Sequence, residues 1–338
     1  MSQKIKILSF VFFLQCFASL GQTSLFDEES ILEFEVIGNL KSLFNDVNPN
    51  KAKYHKIFLF YIDGDSSITV NAKAKTRGLF RRSKQNCRIP PLALKVNEFE
   101  NSIFPENIKI KLVNPCFIKN RYVQYVIKEY YAYKIYNILT EYSLRVRLCR
   151  IIYIDRGGNH SNFETYGILI EPVKLFAKRT RTKEIETQGI IQNATYRPVL
   201  DRMTMFQYLI GNTDWSVPKL HNIKLFYSDS LASLIPVPYD FDFCGFVNPP
   251  YTKPPEIIPI KHVTDRYYRG NCRERIELDL TINFFLEKED QIFKMLKNDT
   301  LLTERNKKSM IDYISMFYET LKDEKLLTKE IVKNCRDE

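Results

Sequence analysis

The chain has 338 residues, enough for one large domain or two modest ones, and 44% of them are hydrophobic, with 24 Phe and 20 Tyr. That content excludes wholesale disorder, and a glycine count of 11 argues against collagen-like, linker-rich and Gly-looped dinucleotide-binding architectures. The formal charge is +10, and no repeat or low-complexity tract is visible.

In chain order, "MSQKIKILSFVFFLQCFASLGQ" reads as a secretory signal peptide over residues 1–21. Lys4 and Lys6 form the charged start, Ile7 to Phe17 the apolar stretch, and Ser19 and Gly21 the small residues before a cut at Gln22. The apolar run is short for a bilayer span, and no later segment could cross a membrane. The expectation is an exported protein (periplasmic, extracellular or at the cell surface) with no stable membrane insertion after cleavage. Cys16 leaves with the peptide, so six cysteines remain and fifteen pairings are open. Cys87 and Cys116 flank neighbouring strand segments, which makes them the favoured disulfide. No C-x-x-C knuckle suggests structural zinc.

From Leu32 to Val96 the texture is β: "KIFLFYID" and "SITVNAKAKTRG" are joined by the turn signal "GDSS", and "PPLALKV" follows. "NIKIKLVNPC" alternates again, "RYVQYVIKEYYAYKIYNILTEYS" has helical spacing, and "RVRLCRIIYID" and "ETYGILIEPV" read as strands. Beyond about residue 185 the pattern turns helical, in "RPVLDRMTMFQYLIGN" and in two or three tail helices from Leu278 onward. Only "HNIKLFY" and "ASLIPVPYDFDF" interrupt it. The expected fold is therefore α+β and bilobal, protein-kinase-like in layout. A β-rich amino lobe of about residues 30–170 would carry one long helix, and a mostly helical carboxyl lobe would cover about 171–338.

The chemistry concentrates in "GNTDWSVPKLHNIKLFYSDSLASLIPVPYDFDF", residues 211–243. Phosphoryl transfer from ATP needs a Lys for the phosphates, a helix Glu to orient it, an Asp near the attacking hydroxyl, and an Asn and a further Asp for the metal. Asp214 precedes Asn222 by eight residues, and Asp240 and Asp242 would share one face of a strand opposite Phe241 and Phe243. The segment resembles the D…N…P-x-D-x-D signature of the CotH-type atypical kinases, exported proteins with a kinase-like fold. "TRGLFRRSK" looks like the Arg-Gly segment of that family's amino lobe, and the resemblance runs from about Asn71 to Gly245.

The resemblance implies Asp214 as the catalytic or substrate-orienting carboxylate, Asn222 and Asp240 as metal ligands, and Asp242 as a second ligand or support. It implies Lys95 at the phosphates with Glu129 as its partner, Arg77 in place of the missing Gly-rich loop, and Glu171 near the adenine. ATP and Mg²⁺ or Mn²⁺ would be the cofactors, and a hydroxyl of a surface or exported protein the acceptor. Plainer readings stand beside these. Asp214 and Asn222 could fix a loop, Lys95 could lie on an exposed strand face, and Glu129 could be a surface i,i+4 partner, with Glu141 the other acid of that helix. The basic runs "KAKTRGLFRRSK" and "AKRTRTK" read first as solvated surface, with phosphate or acidic-substrate contact second; nucleic acid is not expected as a partner of an exported chain. Of the four histidines only His221, beside Asn222, merits attention, and no G-x-S-x-G or Cys–His pattern suggests a hydrolase. The rival function is an inactive binding or assembly module at the cell surface, and transfer of another group, such as nucleotidyl, is a third.

Overall fold

The computed structural model describes residues 25–97, 102–158 and 161–337; the expected signal peptide and His160 lie outside these. Seven strands come from the amino-terminal half: β1 (Leu32–Gly38), β2 (His55–Asp63), β3 (Ser66–Thr76), β4 (Leu92–Val96), β5 (Lys109–Val113), β6 (Val146–Asp155) and β7 (Phe163–Ile170). They hydrogen-bond in the order β1-β2-β3-β4-β5-β7-β6 and close into a barrel, because β1 also pairs in parallel with β6 from Leu32 opposite Cys149 to Gly38 opposite Asp155. Alternation sets the inside: Val36, Leu59, Val70, Leu94, Leu112 and Ile151 fill the interior, each almost wholly removed from water. Burial of such a side chain stabilises by about 1.5–3 kcal/mol, which is what holds the strands to one register. Gly167 belongs to the same closure, since a Cβ there would stand 2.9 Å from the Val113 carbonyl oxygen of the neighbouring strand.

Helices α1 (Leu40–Asn45) and α2 (Asn120–Leu139) connect barrel strands. The outer side of β5 and β7, with Val113, Ile168 and Ile170, joins α2 in a second core through Val126, Tyr133 and Tyr136. Beyond the barrel come α3 (Val173–Thr180), β8 (Thr182–Ile185), α4 (Arg197–Leu209), β9 (Ile223–Ser228), β10 (Ser233–Pro238), α5 (Arg275–Lys297), α6 (Glu304–Lys322) and the short α7 (Glu324–Leu327). Strands β8, β9 and β10 form an antiparallel sheet of order β10-β9-β8. The second core continues from α2 through Phe206 of α4, Phe226 and Val237 of the sheet, and Phe285 and Phe317 of the tail helices.

The expectation of a bilobal protein-kinase-like fold with a mostly helical carboxyl lobe is overturned. The amino-terminal strands form a closed seven-stranded barrel, and among the described residues seven helices accompany it together with a second sheet. Period-two alternation reports which side of a strand is buried; it carries no signal for the parallel β1–β6 pairing that shuts the barrel, because those residues are distant in sequence. The second sheet gained a third strand, β8, from the "AKRTRTK" run read as surface: Lys183 is exposed, but Thr182 is buried and pairs opposite Ser228. Two disulfides close loops, Cys87–Cys116 as expected and Cys272–Cys335, while Cys149 and Cys244 are buried thiols. Among the described residues no helix is long and apolar enough to cross a membrane.

Candidate functional site

The loop from Gly211 to Asn222 is built by its own polar side chains. Gly211 takes a positive φ of 61°, and the Asn212 side chain accepts from the Asp214 amide at 3.0 Å. Trp215 donates its indole N–H to the Asn212 carbonyl and stacks beneath Arg269, which turns the loop inward. Ser216 and His221 then exchange backbone hydrogen bonds, returning the chain to the start of β9. The result places Asp214 between two side chains. One oxygen faces His221 Nε2 at 2.7 Å, and the other accepts from Asn222 Nδ2 at 3.0 Å.

Sequence alternation had placed Asp240 and Asp242 on a strand; β10 instead stops at Pro238. Asp240 adopts a left-handed conformation with φ 65°, so the chain turns there and the two carboxylates part. The turn is held from both sides: the Tyr239 amide donates to the Asn222 carbonyl at 3.0 Å, and the Asp240 amide to the hydroxyl of Tyr133 on α2 at 2.9 Å. Asp240 is half-buried, whereas Asp242 is buried, meeting Arg81 Nε at 3.3 Å and the Tyr251 hydroxyl at 3.4 Å.

Arg81 is the centre of this buried end. Its guanidinium also reaches Glu129 of α2 at 3.6 Å, and neither Glu129 oxygen has a hydrogen-bond partner in the described structure. Burial raises the carboxyls of both Glu129 and Asp242 above the usual range, while Arg81 pulls each back down. One cation cannot neutralise two buried carboxylates, so one proton is retained near neutrality. Glu129 is the group to hold it, because Asp242 has the shorter guanidinium contact and the Tyr251 hydroxyl besides. The loop that delivers Arg81 is anchored by the Cys87–Cys116 bond and by Phe80, which packs edge-on against Phe243.

Opposite the carboxylates lies the outer side of β3, β4 and β5. Lys111 sits over the Tyr239 ring at 4.5 Å, and burial, with Arg77 next in importance, lowers its ammonium to about 8 against the pull of Asp240. Arg77 and Lys111 have no ion-pair partner among the described residues. The structure therefore brings together Asp214, Asn222, Asp240, Asp242, Glu129 and Arg77. It does not bring Glu129 to Lys95: the ion-pair partner of Glu129 is Arg81. Lys95 lies on the same side of the sheet as Lys111, opposite Lys73 and Lys109. Glu171 follows Ile170, which pairs with Lys111, but its carboxylate is occupied by Arg179 at 2.9 Å and by the Arg145 amide at 3.0 Å. Glu141 is exposed beyond the end of α2.

Sequence reasoning missed Arg81, Lys111, Tyr133 and Tyr251. Arg81 was within the quoted "TRGLFRRSK" run, where four basic residues look alike until the fold buries Arg81 and Arg82 and brings Arg81 to the carboxylates. Lys111 was within "NIKIKLV", where alternation marks it as outward but not as facing a carboxylate.

Among the described residues no group of three or more His, Cys, Asp or Glu converges as a ready-made cation cage. The donors still suit a hard cation of the Mg²⁺ kind, which takes one or two carboxylates and completes its shell with water and substrate phosphate. Among the described residues Asp240 has no side-chain hydrogen bond or ion pair, and Asn222 spends its amide N–H on Asp214, while its side-chain carbonyl oxygen meets no donor there. Asp242 does not fit that role while Arg81 holds it. In comparisons with known proteins the chain matches no family model and no curated protein.

Proposed function

We propose that this protein transfers the γ-phosphate of ATP to a protein hydroxyl with Mg²⁺ or Mn²⁺, in the cleft between the outer side of the barrel and the turn at Asp240. The observation that carries the reading is the opposition of a carboxylate edge, Asp214 with Asn222 and Asp240, to the unpaired cations Arg77 and Lys111. Bound phosphate would meet the cations, and a metal held by Asp240 and the Asn222 carbonyl would neutralise charge on the transferring group. Asp214 would accept the hydroxyl proton as the oxygen–phosphorus bond forms and the bond to ADP breaks. Its tie to His221 and Asn222 fixes the carboxylate for that step. The likeness of these residues to the CotH signature supports the reading at the level of the motif alone. Residues 1–21 as a cleaved signal peptide, with two disulfides in the folded chain, support an exported location.

One observation favours the second reading, an inactive binding or assembly module. The Arg81–Asp242 ion pair removes the carboxylate that the signature would give to the metal.

The two are separated by label transfer from γ-labelled ATP and by thermal shift with nucleotide, with each metal. Asp240→Ala is expected to lose the nucleotide-induced shift and at least about a hundredfold in rate, roughly 3 kcal/mol. Asp214→Asn is expected to keep most of the shift and lose transfer, since proton acceptance changes more than metal charge. If wild type and Asp240→Ala respond alike in both assays, phosphoryl transfer at this site is wrong.

A further inference from the structure

Lys56 stands directly opposite Lys73, Lys73 opposite Lys95, and Lys95 opposite Lys109, so four lysines form one row across β2, β3, β4 and β5. Residues directly opposite in an antiparallel sheet point to the same side, here the outer side of the barrel. The next row adds Lys75 and Lys111 on either side of Ala93. None of these six lysines has an ion-pair partner among the described residues, and no Asp or Glu shares that side of the four strands. Like charges directly opposite each other destabilise a sheet, so the row stores repulsion that an anion would relieve. Beside the row, burial first and then the charges of Arg77, Lys75 and Lys224 lower the Lys109 ammonium.

We propose that this lysine row is the docking surface for an Asp/Glu-rich segment flanking the acceptor hydroxyl. The proposal rests on the transfer reading above for the identity of the acceptor, but the surface itself does not. At about 4.8 Å per strand the row spans ~14 Å, the length of about four extended residues. Its Lys109 end adjoins Lys111, which lies over the Tyr239 ring next to Asp240, and its Lys56 end is exposed on β2. It thus leads away from the transfer site along the path that a peptide flank would take. The row contains lysine alone. Lysines are flexible point charges without the rigid fork by which Arg grips one carboxylate or phosphate in two places, so the row suits several anionic side chains spread along an extended peptide rather than one compact anion.

The test is fluorescence anisotropy of a labelled ten-residue oligoglutamate with the mature protein, without nucleotide or metal, so that the outcome is independent of transfer. Binding is expected at about 50 mM salt and should weaken as salt screens the contact. The Lys73→Gln/Lys95→Gln double variant is expected to bind about tenfold more weakly, and Lys56→Gln alone about threefold. A Lys183→Gln/Lys308→Gln double variant, which removes the same charge from lysines already paired with Asp229 and Asp312, should bind as wild type. Melting temperatures of the row variants should be equal to or above that of wild type, since repulsion is removed. Absence of binding, an equal loss in both double variants, or tighter binding of inorganic tripolyphosphate than of oligoglutamate would each overturn the proposal.

Discussion

The barrel carries two charged outer regions of opposite design. On the outer side of β6, Arg150 meets Glu164 of β7 at 2.6 Å and Glu33 of β1 at 3.1 Å, and at the buried end of the same strand Arg147 meets Glu28 at 2.8 Å. Lys134 of the nearby α2 is likewise paired with Glu29 at 2.6 Å. Across β2 to β5 the lysines face one another, and among the described residues no acid of these strands stands on their side. Both regions belong to one closed sheet, so folding as such does not demand the difference. Charges that hold the chain to itself come with counter-charges from the chain, as at the amino-terminal strap of Asp27 to Glu29. Charges left without them stay available to something that arrives from outside. Arg81 lies between these cases, a paired cation whose partners are the very carboxylates of the cleft.

The largest effect is expected where the pairing is buried. Arg81→Ala would leave Glu129 and Asp242 without their shared cation, and breaking a buried pair by removing one partner costs about 3–5 kcal/mol. Urea denaturation of the variant should show that loss, and an unchanged midpoint would mean that Arg81 is not structural.

A smaller effect distinguishes the two acids. Burial raises the folded-state carboxyl of Glu129 above its ordinary 4.5, so the native state binds the proton more tightly than the unfolded chain does. Its contribution to stability is fully present below pH 4.5 and is lost as pH rises through neutrality. Glu129→Gln, a neutral isostere, should flatten that decline in melting temperature while leaving the acid end unaltered. A variant that declines as steeply as wild type would show that Glu129 is ionised throughout.

The smallest effect belongs to the paired region. Arg150→Ala removes two contacts that solvent screens, and no resolvable change in melting temperature or in oligoglutamate binding is expected. A loss comparable to that of the lysine row would erase the contrast between the two regions.

Much of this was legible from residue order. Alternation located the barrel strands with their inner sides, and helical spacing located α2 and the tail helices, because both report burial within a few residues of chain. The Cys87–Cys116 bond was legible from its place between strand segments. The run from Asp214 to Asp242 brings four of the candidate residues together because loop-forming Asn and Gly surround a short hairpin there, and the hairpin returns the chain to its starting point.

Other features required the folded chain. Alternation carried the "PYDFDF" segment forward as strand, but the Tyr133 hydroxyl and the Asn222 carbonyl catch it in a left-handed turn at Asp240. The Lys95–Glu129 pair gave way to Arg81–Glu129, because a loop stapled after β3 reaches α2 before any strand lysine does.

By itself the sequence determined which residues are apolar at which period, and therefore most of the strands and helices and the segment that carries the carboxylates. Only the tertiary structure decided that β1 meets β6 to close a barrel, that Arg81 rather than Lys95 stands beside Glu129, and that four lysines from four separate strands stand in one row. The physical reason is common to all three. Local periodicity records how each residue meets water, whereas pairing between distant segments depends on register, and register is settled only when the cores pack.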